Sequence, residues 1–136
     1  MIIGLGEDLV DISRIQKLMA EKEDRFLKKC FTAAEIEKAN LHQTQDRQTA
    51  YYAKRFAAKE ACLKALGTGM REGLAWHDMS VGNDALGRPV MEVSGGVAEK
   101  LKSLGDNPHI HITLSDEAGL AKATVILESV ENPLPQ

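Results

Sequence analysis

The stretch Arg55-Phe-Ala-Ala-Lys-Glu-Ala-Cys-Leu-Lys-Ala-Leu-Gly67 decides how the rest of the chain is arranged. It is the second half of a segment from Asp46 to Leu66 that contains no glycine or proline and is rich in strong helix formers. This segment is therefore predicted to be one long helix. Gly67 follows it at the position where a left-handed C-terminal cap is expected.

Glu60 is the residue of this helix whose polarity does not fit its position. On a helical wheel it lies beside Phe56, Leu63 and Gly67, within an apolar stripe. A carboxylate in such a stripe is costly unless a cation meets it. The helix alone supports two interpretations, an ion pair with Lys64 one turn later or a ligand for a metal ion.

The N-terminal run Met1-Ile-Ile-Gly-Leu-Gly-Glu-Asp8 is predicted to be a strand. Gly4, Gly6 and Asp8 share one face of it, and the glycines leave room for another backbone or a ligand to approach. A carboxylate at the end of such a strand can coordinate a hard cation. Alternatively, Asp8 or Asp11 caps the helix that follows, and one role does not exclude the other.

The remaining chain predicts an α+β domain with a small, mostly antiparallel sheet packed on the long central helix. A capping box at Thr32-Ala-Ala-Glu35 marks the start of one helix, and alternating apolar residues mark the later strands. The predicted helices are Asp11 to Lys22, Asp24 to Cys30, Thr32 to about Leu41, and Ser94 to Leu104 with a stop at Gly105. The predicted strands are Met79 to Gly82, Pro89 to Val93, His109 to Leu114, and Leu120 to Glu128.

Length and composition limit the class of protein. The 136 residues are expected to form one domain over residues 1–130, followed by a flexible tail at 131–136. A formal charge of −3 argues against a nucleic-acid binder. Cys30 and Cys62 are too far apart in sequence for a close-spaced metal motif and suit a reducing compartment. No leader-like segment and no apolar run of membrane length is found, so we expect a cytoplasmic protein without a membrane partner.

Four motifs together resemble the holo-acyl-carrier-protein synthases, the small bacterial type of phosphopantetheinyl transferase. They are Gly6-Glu-Asp8, Arg14-Ile15, the string from Arg55 to Gly69, and His111-Ile-Thr-Leu-Ser115. The resemblance runs from Met1 to about Glu128. It implies transfer of the 4′-phosphopantetheine group of coenzyme A to a serine of an apo acyl carrier protein, with release of 3′,5′-ADP, in fatty acid biosynthesis. It also implies a homotrimer with each active site at a subunit boundary.

The resemblance also suggests roles for single residues. Asp8 and Glu60 are the expected Mg²⁺ ligands, with substrate phosphates and water completing the octahedron. Lys64 joins them as the third expected catalytic residue, because it can reach the same phosphates. Arg55 and His111, with Lys64, are the expected contacts to the phosphates of coenzyme A. The base that receives the serine proton stays open between Glu60, a water on the metal, and no residue at all.

The first helix is the expected docking surface for the acyl carrier protein. Carrier proteins are acidic while this chain is itself net negative, so attraction must come from a local basic patch. Arg14 and Lys17 lie one turn apart beside the apolar Leu18, with Arg25 and Lys28 shortly after, and together they supply such a patch. The resemblance favours Arg14 among them, so Arg14 and Leu18 are the residues we assign to the partner.

Other assignments stay open from the sequence. His109, His111 and Thr113 share one strand face, but no further zinc ligand is apparent, so a zinc site is not predicted. No role is assigned to His109 or Asp116. Two other functions compete with the transferase, namely a non-catalytic module that binds coenzyme A or a nucleotide, and a Mg²⁺-dependent phosphohydrolase.

Overall fold

The computed structural model describes residues 1–71 and 73–131. The elements follow the chain as β1 (Ile2–Asp11), α1 (Ile12–Cys30), α2 (Ala33–Ala39), α3 (Gln45–Leu66), a 3-10 turn (Trp76–Asp78), β2 (Met79–Asn83), β3 (Pro89–Val93), α4 (Gly95–Leu104), β4 (Pro108–Glu117) and β5 (Leu120–Ser129). Of the predicted tail, only Glu131 lies within the described residues. Among the described helices, none combines the length and apolar character that a membrane crossing requires.

The strands form two antiparallel sheets, which confirms the predicted α+β class. One sheet has three strands in the order β1-β5-β4, and the other is the β2-β3 hairpin. The sequence predicted a single small sheet. The described hairpin pairs only with itself, although β3 lies near β4.

Helix α3 is the centre of the molecule and packs against β1 and β5 of the larger sheet. It is buried on nearly all sides, which explains why it shows no strong amphipathic pattern. Its contact surface is built mainly from alanines, which let the neighbouring elements approach closely. These are Ala53, Ala57, Ala58, Ala61 and Ala65, all at or below 7% exposure.

Both ends of α3 match the sequence prediction. The Thr44 side chain accepts a hydrogen bond from the Arg47 backbone N–H at 3.2 Å and caps the start. Gly67 ends the helix with φ 81° and donates its N–H to the carbonyl of Lys64. The long helix was therefore located to within one residue.

The two helices predicted before Cys30 are confirmed, because α1 is broken at Lys22, where φ is −145° and ψ is 44° and the backbone is not helical. Several other predicted boundaries were wrong. Strand β1 continues to Asp11 because β5 pairs with it along that length. The capping box of α2 is present, but the helix ends at Ala39 rather than Leu41. Gly105 is extended with φ 174°, so it ends α4 without a left-handed cap. The Ser94 side chain makes no capping hydrogen bond at the start of α4.

Candidate active site

Strand β1 lies directly on the backbone of α3, and two glycines make this contact possible. A Cβ atom on Gly6 would collide with the carbonyl oxygen of Ala61, and one on Gly4 with that of Ala65. The predicted room beside these glycines is therefore filled by α3. The next residue on the same strand face is Asp8, which this contact places beside the last turns of the helix.

Asp8 meets Lys64 of α3. The Lys64 Nζ atom lies 2.9 Å from Asp8 Oδ1 and also donates to the carbonyl of Glu7 at 3.0 Å. The hydrogen bond to Asp8 raises the pKa of Lys64, so the ammonium stays charged. The alternative in which Lys64 pairs with Glu60 along the helix is wrong, since the ion-pair partner of Lys64 is Asp8 on β1.

Glu60 is half-buried and has no hydrogen bond or ion pair among the described residues. Burial raises the pKa of this carboxyl, and the negative charge of Asp8 raises it further. The positive charges of Lys64 and Arg14 lower it in part. The fold thus holds two carboxylates close together, of which only Asp8 has an ion-pair partner among the described residues. A divalent cation bound between them would reduce their repulsion.

The donor set suits magnesium better than zinc. Within residues 1–71 and 73–131, no three His, Cys, Asp or Glu side chains cluster closely enough to hold a metal by themselves. Zinc sites use three or four protein ligands, whereas Mg²⁺ is commonly held by one or two carboxylates together with substrate phosphates and water. Asp8 and Glu60 fit the second pattern.

A separate basic cavity of about 700 Å³ opens beside the N-terminal half of α3. Arg55 lies in it, only 6% exposed, with its guanidinium stacked on the Tyr51 ring at 3.7 Å and bonded to Asn83 Oδ1 at 3.2 Å. The Arg55 Nε and Tyr51 Oη atoms are buried and have no hydrogen-bond partner within residues 1–71 and 73–131. Other lining residues include Lys38, His42, Arg47, Lys54 and Asp116, of which Lys54 and Asp116 form an ion pair at 3.0 Å.

The groups that line this cavity suit an anionic ligand. Two buried polar groups without partners among the described residues, together with several cations, border a space large enough for part of a nucleotide. The sequence pointed to Arg55 but missed Tyr51. The available signal was their spacing of one helical turn, which stacks the two side chains.

A profile of the 4′-phosphopantetheinyl transferase superfamily matches residues 4–124. The chain belongs to this superfamily. The match confirms the family that the four sequence motifs suggested. Two curated relatives are named holo-[acyl-carrier-protein] synthase. The one from Rhizobium leguminosarum bv. trifolii is 49% identical over 98% of this chain and 100% of its own length. The one from Bradyrhizobium sp. is 48% identical over 96% of each chain.

Solved structures of phosphopantetheinyl transferases share the fold. The holo-[acyl-carrier-protein] synthase of Neisseria meningitidis superposes with a TM-score of 0.84 at 32% identity, covering 95% of this chain and 100% of that one. The Bacillus anthracis synthase, solved in complex with CoA (3′,5′-ADP), gives a TM-score of 0.78 at 33% identity, covering 96% and 99%. A helix laid across an antiparallel sheet is thus the fold of this superfamily.

In this transferase, His111 lies on the opposite face of the sheet from Asp8. Asp8 pairs with Ala123 of β5 while His111 pairs with Ile126, and residues three apart on one strand point to opposite faces. The His111 ring instead bonds Glu128 Oε1 at 3.0 Å, which lowers the pKa of that carboxyl. One chain therefore does not bring His111 to the carboxylate pair, and its contact with coenzyme A stays a prediction.

The predicted docking residues lie on the exposed side of α1. Arg14 is exposed, and its positive charge lowers the pKa of Glu60, so the predicted docking surface borders the carboxylate pair. Leu18 is half-buried and lines a surface cavity of about 230 Å³ with Phe26. The other residues lining this cavity are basic: Lys22, Arg25 and Lys29.

The raised pKa of Glu60 predicts how metal binding depends on pH. Protonated Glu60 cannot bind a cation, so protons compete with Mg²⁺ to a higher pH than at an ordinary glutamate of pKa 4.5. The pKa of Glu60 is higher in the folded protein than in the unfolded chain. Between these two pKa values, a rise in pH therefore lowers the stability of the metal-free protein.

We expect the Mg²⁺-induced increase in melting temperature to grow as the pH rises between the two pKa values. Thermal denaturation with and without MgCl₂ at several pH values measures it. Glu60→Gln, which cannot titrate there, should flatten the profile, and an unchanged profile would contradict the assignment.

Proposed function

We propose that this protein transfers the 4′-phosphopantetheine group of coenzyme A to a serine of an apo acyl carrier protein, releasing 3′,5′-ADP, with Mg²⁺ held by Asp8 and Glu60. The observation that carries the proposal is the unpaired, half-buried Glu60 carboxylate held close to Asp8. The named synthases among the relatives support it, as does the Bacillus anthracis synthase bound to CoA (3′,5′-ADP).

The side chains of the site have separate roles in the reaction. Bound Mg²⁺ would neutralise pyrophosphate charge and orient the phosphates. Lys64 places an ammonium beside Asp8, where it can stabilise the phosphate oxygens that gain charge as the bond to 3′,5′-ADP breaks. The attacking hydroxyl belongs to the carrier protein, so the transferase needs no nucleophile of its own. Its task is to hold that hydroxyl in line with the phosphorus.

One incubation tests the reaction class. The protein is mixed with coenzyme A, MgCl₂ and an apo acyl carrier protein, and the products are analysed by intact-mass spectrometry and by chromatography of the nucleotides. We expect the carrier to gain one phosphopantetheine group and 3′,5′-ADP to appear in equal amount. Cleaved coenzyme A with an unmodified carrier would indicate a phosphohydrolase. No change in either substrate would indicate a non-catalytic binding module.

The arrangement of the sites supports a homotrimer with composite active sites. Arg55 and Glu60 lie on different sides of α3, and His111 is on the sheet face away from Asp8. That outer face also exposes a row of large apolar residues, Ile2, Leu5, Leu9 and Leu120, at 41–66% exposure. Packing of copies through this face would place His111 of one subunit against its neighbour, so that groups from two subunits contribute to one site.

Leu5→Lys is expected to dissociate the trimer and remove activity, because it places a charge in the packed outer face. Leu86→Lys is the matched control, since Leu86 is 85% exposed outside this face, in the turn between β2 and β3. Light scattering coupled to size exclusion reports the assembly, and the transfer assay reports activity. A fully active monomer of the unaltered protein would refute the composite site.

Arg14→Ala is expected to raise the KM for the carrier protein several-fold, because a guanidinium on α1 can bind its acidic surface. The KM for coenzyme A should change less, with only a small effect through the neighbouring Glu60. Lys17→Ala, also exposed on α1, serves as the control. Steady-state kinetics at two salt concentrations separates the cases. Equal increases in both KM values would remove Arg14 from the docking surface.

We further propose that the protein acts in the cytoplasm. Cys30 and Cys62 are both buried free thiols, which suits a reducing compartment.

A further inference from the structure

A buried ion pair lies one residue from the proposed metal site. Lys59 Nζ is 2.6 Å from Glu35 Oε1 and donates a second hydrogen bond to the carbonyl of Cys30 at 2.7 Å. Both side chains of the pair are 0% exposed. Burial lowers the pKa of Lys59, and the charge of Glu35 counteracts this effect. The sequence analysis assigned no role to either residue.

Glu35 extends this network to other elements. Its Oε2 atom accepts the Val81 backbone N–H at 2.9 Å, and its Oε1 atom accepts the Thr32 backbone N–H at 2.9 Å. The network therefore ties α3 to the end of α1, the start of α2 and strand β2. Each of these hydrogen bonds is directional and fixes both a distance and an angle.

The pair is not explained by stability alone. A buried ion pair recovers in attraction about what its desolvation costs, so a well-packed apolar pair of similar volume is often as stable or more stable. The surroundings show what else it provides. Helix α3 packs against the sheet through small residues, alanines of the helix and glycines of β1, whereas Lys59 reaches away from the helix to the end of α1 and to α2. Lys59 is a long side chain anchored at its far end.

Rotation of α3 is what matters for the metal site. Lys59 immediately precedes Glu60, so any rotation that displaces one displaces the other by the same angle. With a helix radius of about 5–6 Å including side chains, a rotation of about 10° moves the Glu60 carboxylate by about 1 Å. Displacements of that size in a catalytic site can cost about 100-fold in rate.

We propose that the buried Lys59–Glu35 pair is a positioning device that fixes the rotation of α3, so that the Glu60 carboxylate meets Asp8 at a metal-binding distance. The inference rests on the proposed function, because it takes Asp8 and Glu60 as the metal ligands. Lys59 and Glu35 touch neither metal nor substrate in this arrangement and act only through Glu60.

The test replaces the pair by apolar residues of similar size in the full-length protein, Lys59→Met together with Glu35→Leu. Folding is followed by thermal denaturation and the oligomeric state by light scattering. Mn²⁺, measured by electron paramagnetic resonance in the presence of coenzyme A, reports the metal site without turnover. We expect a folded protein with about tenfold weaker Mn²⁺ binding and a kcat lowered about 100-fold, while the KM for the carrier stays unchanged.

Two further variants keep the outcome decisive. Cys62→Ala removes another buried side chain of α3 and should reduce stability without weakening Mn²⁺ binding. If the double variant does not fold, Lys59→Met with Glu35→Gln takes its place, because it leaves no unpaired buried charge and keeps an oxygen that can accept a backbone N–H. This second double variant should weaken Mn²⁺ binding more than Cys62→Ala does. Unchanged Mn²⁺ binding and kcat in whichever double variant folds would overturn the positioning role. An unaltered protein that neither binds Mn²⁺ nor transfers phosphopantetheine would instead overturn the proposed function.

Discussion

Glu60→Gln is expected to lower Mg²⁺-dependent transfer by about 100- to 1,000-fold, the cost typical of losing one charge-stabilising group in an active site. The amide keeps the shape of the side chain but removes the charge that a hard cation needs. Metal affinity and turnover should therefore fall together. Titration of the rate with MgCl₂ and direct Mn²⁺ binding measure the two effects.

The same substitution is expected to stabilise the metal-free protein. Glu60 is half-buried, has no ion-pair partner in the described part of the chain, and is repelled by Asp8. Its burial and the charge of Asp8 both raise its pKa. A neutral amide removes the free-energy cost of holding an unpaired charge in a half-buried position at neutral pH. The melting temperature without metal should thus rise while activity is lost, which is the signature of a residue kept for function. Glu99→Gln, the same change at an exposed position of α4, is the control and should alter neither quantity. A variant that melts earlier and keeps its metal dependence would show that Glu60 is structural.

Gly6→Ala is expected to cost about 3 kcal/mol of folding free energy, at the upper end for overpacking a close contact. The added methyl would collide with the Ala61 carbonyl oxygen, and backbone atoms cannot rotate away as a side chain can. This cost is a large fraction of the stability of an ordinary domain, about 5–15 kcal/mol. Chemical denaturation monitored by circular dichroism measures it.

Gly82→Ala is the matched control for this prediction. Gly82 is also a strand glycine, but a Cβ atom there meets nothing within 4 Å. Its replacement should change the stability by no more than about 0.5 kcal/mol. The fraction of Gly6→Ala that remains folded should also transfer more slowly, since β1 must shift and carry Asp8 with it. Equal stability of the two variants would contradict the close contact between β1 and α3.

Much of the site could be predicted because it depends on local rules. The span of α3 follows from helix propensity and from the glycine that ends it, which both act within one or two turns. The face shared by Gly4, Gly6 and Asp8 follows from the alternation of side chains along a strand. These rules, with the motif match, were sufficient to identify the family and to select Asp8 and Glu60 as one pair.

The errors concern contacts between residues that are distant in the chain. Helical spacing allowed Lys64 to pair with Glu60, but the ammonium is bonded to Asp8, which lies 56 positions away. His111 was expected to contact the phosphates of coenzyme A, and this contact stays a prediction, since strand register places His111 on the other face of the sheet from Asp8 within one chain.

Lys59 shows the same limit most clearly. Its neighbours in sequence mark it as an ordinary helix lysine, whereas its partner Glu35 lies 24 positions earlier and the pair is fully buried. The sequence alone therefore determined the elements, their caps and the residue types of the site, because these follow from interactions between near neighbours. The partners of Lys64, His111 and Lys59 depended on which elements pack together, and that is settled by burial of the whole chain around α3.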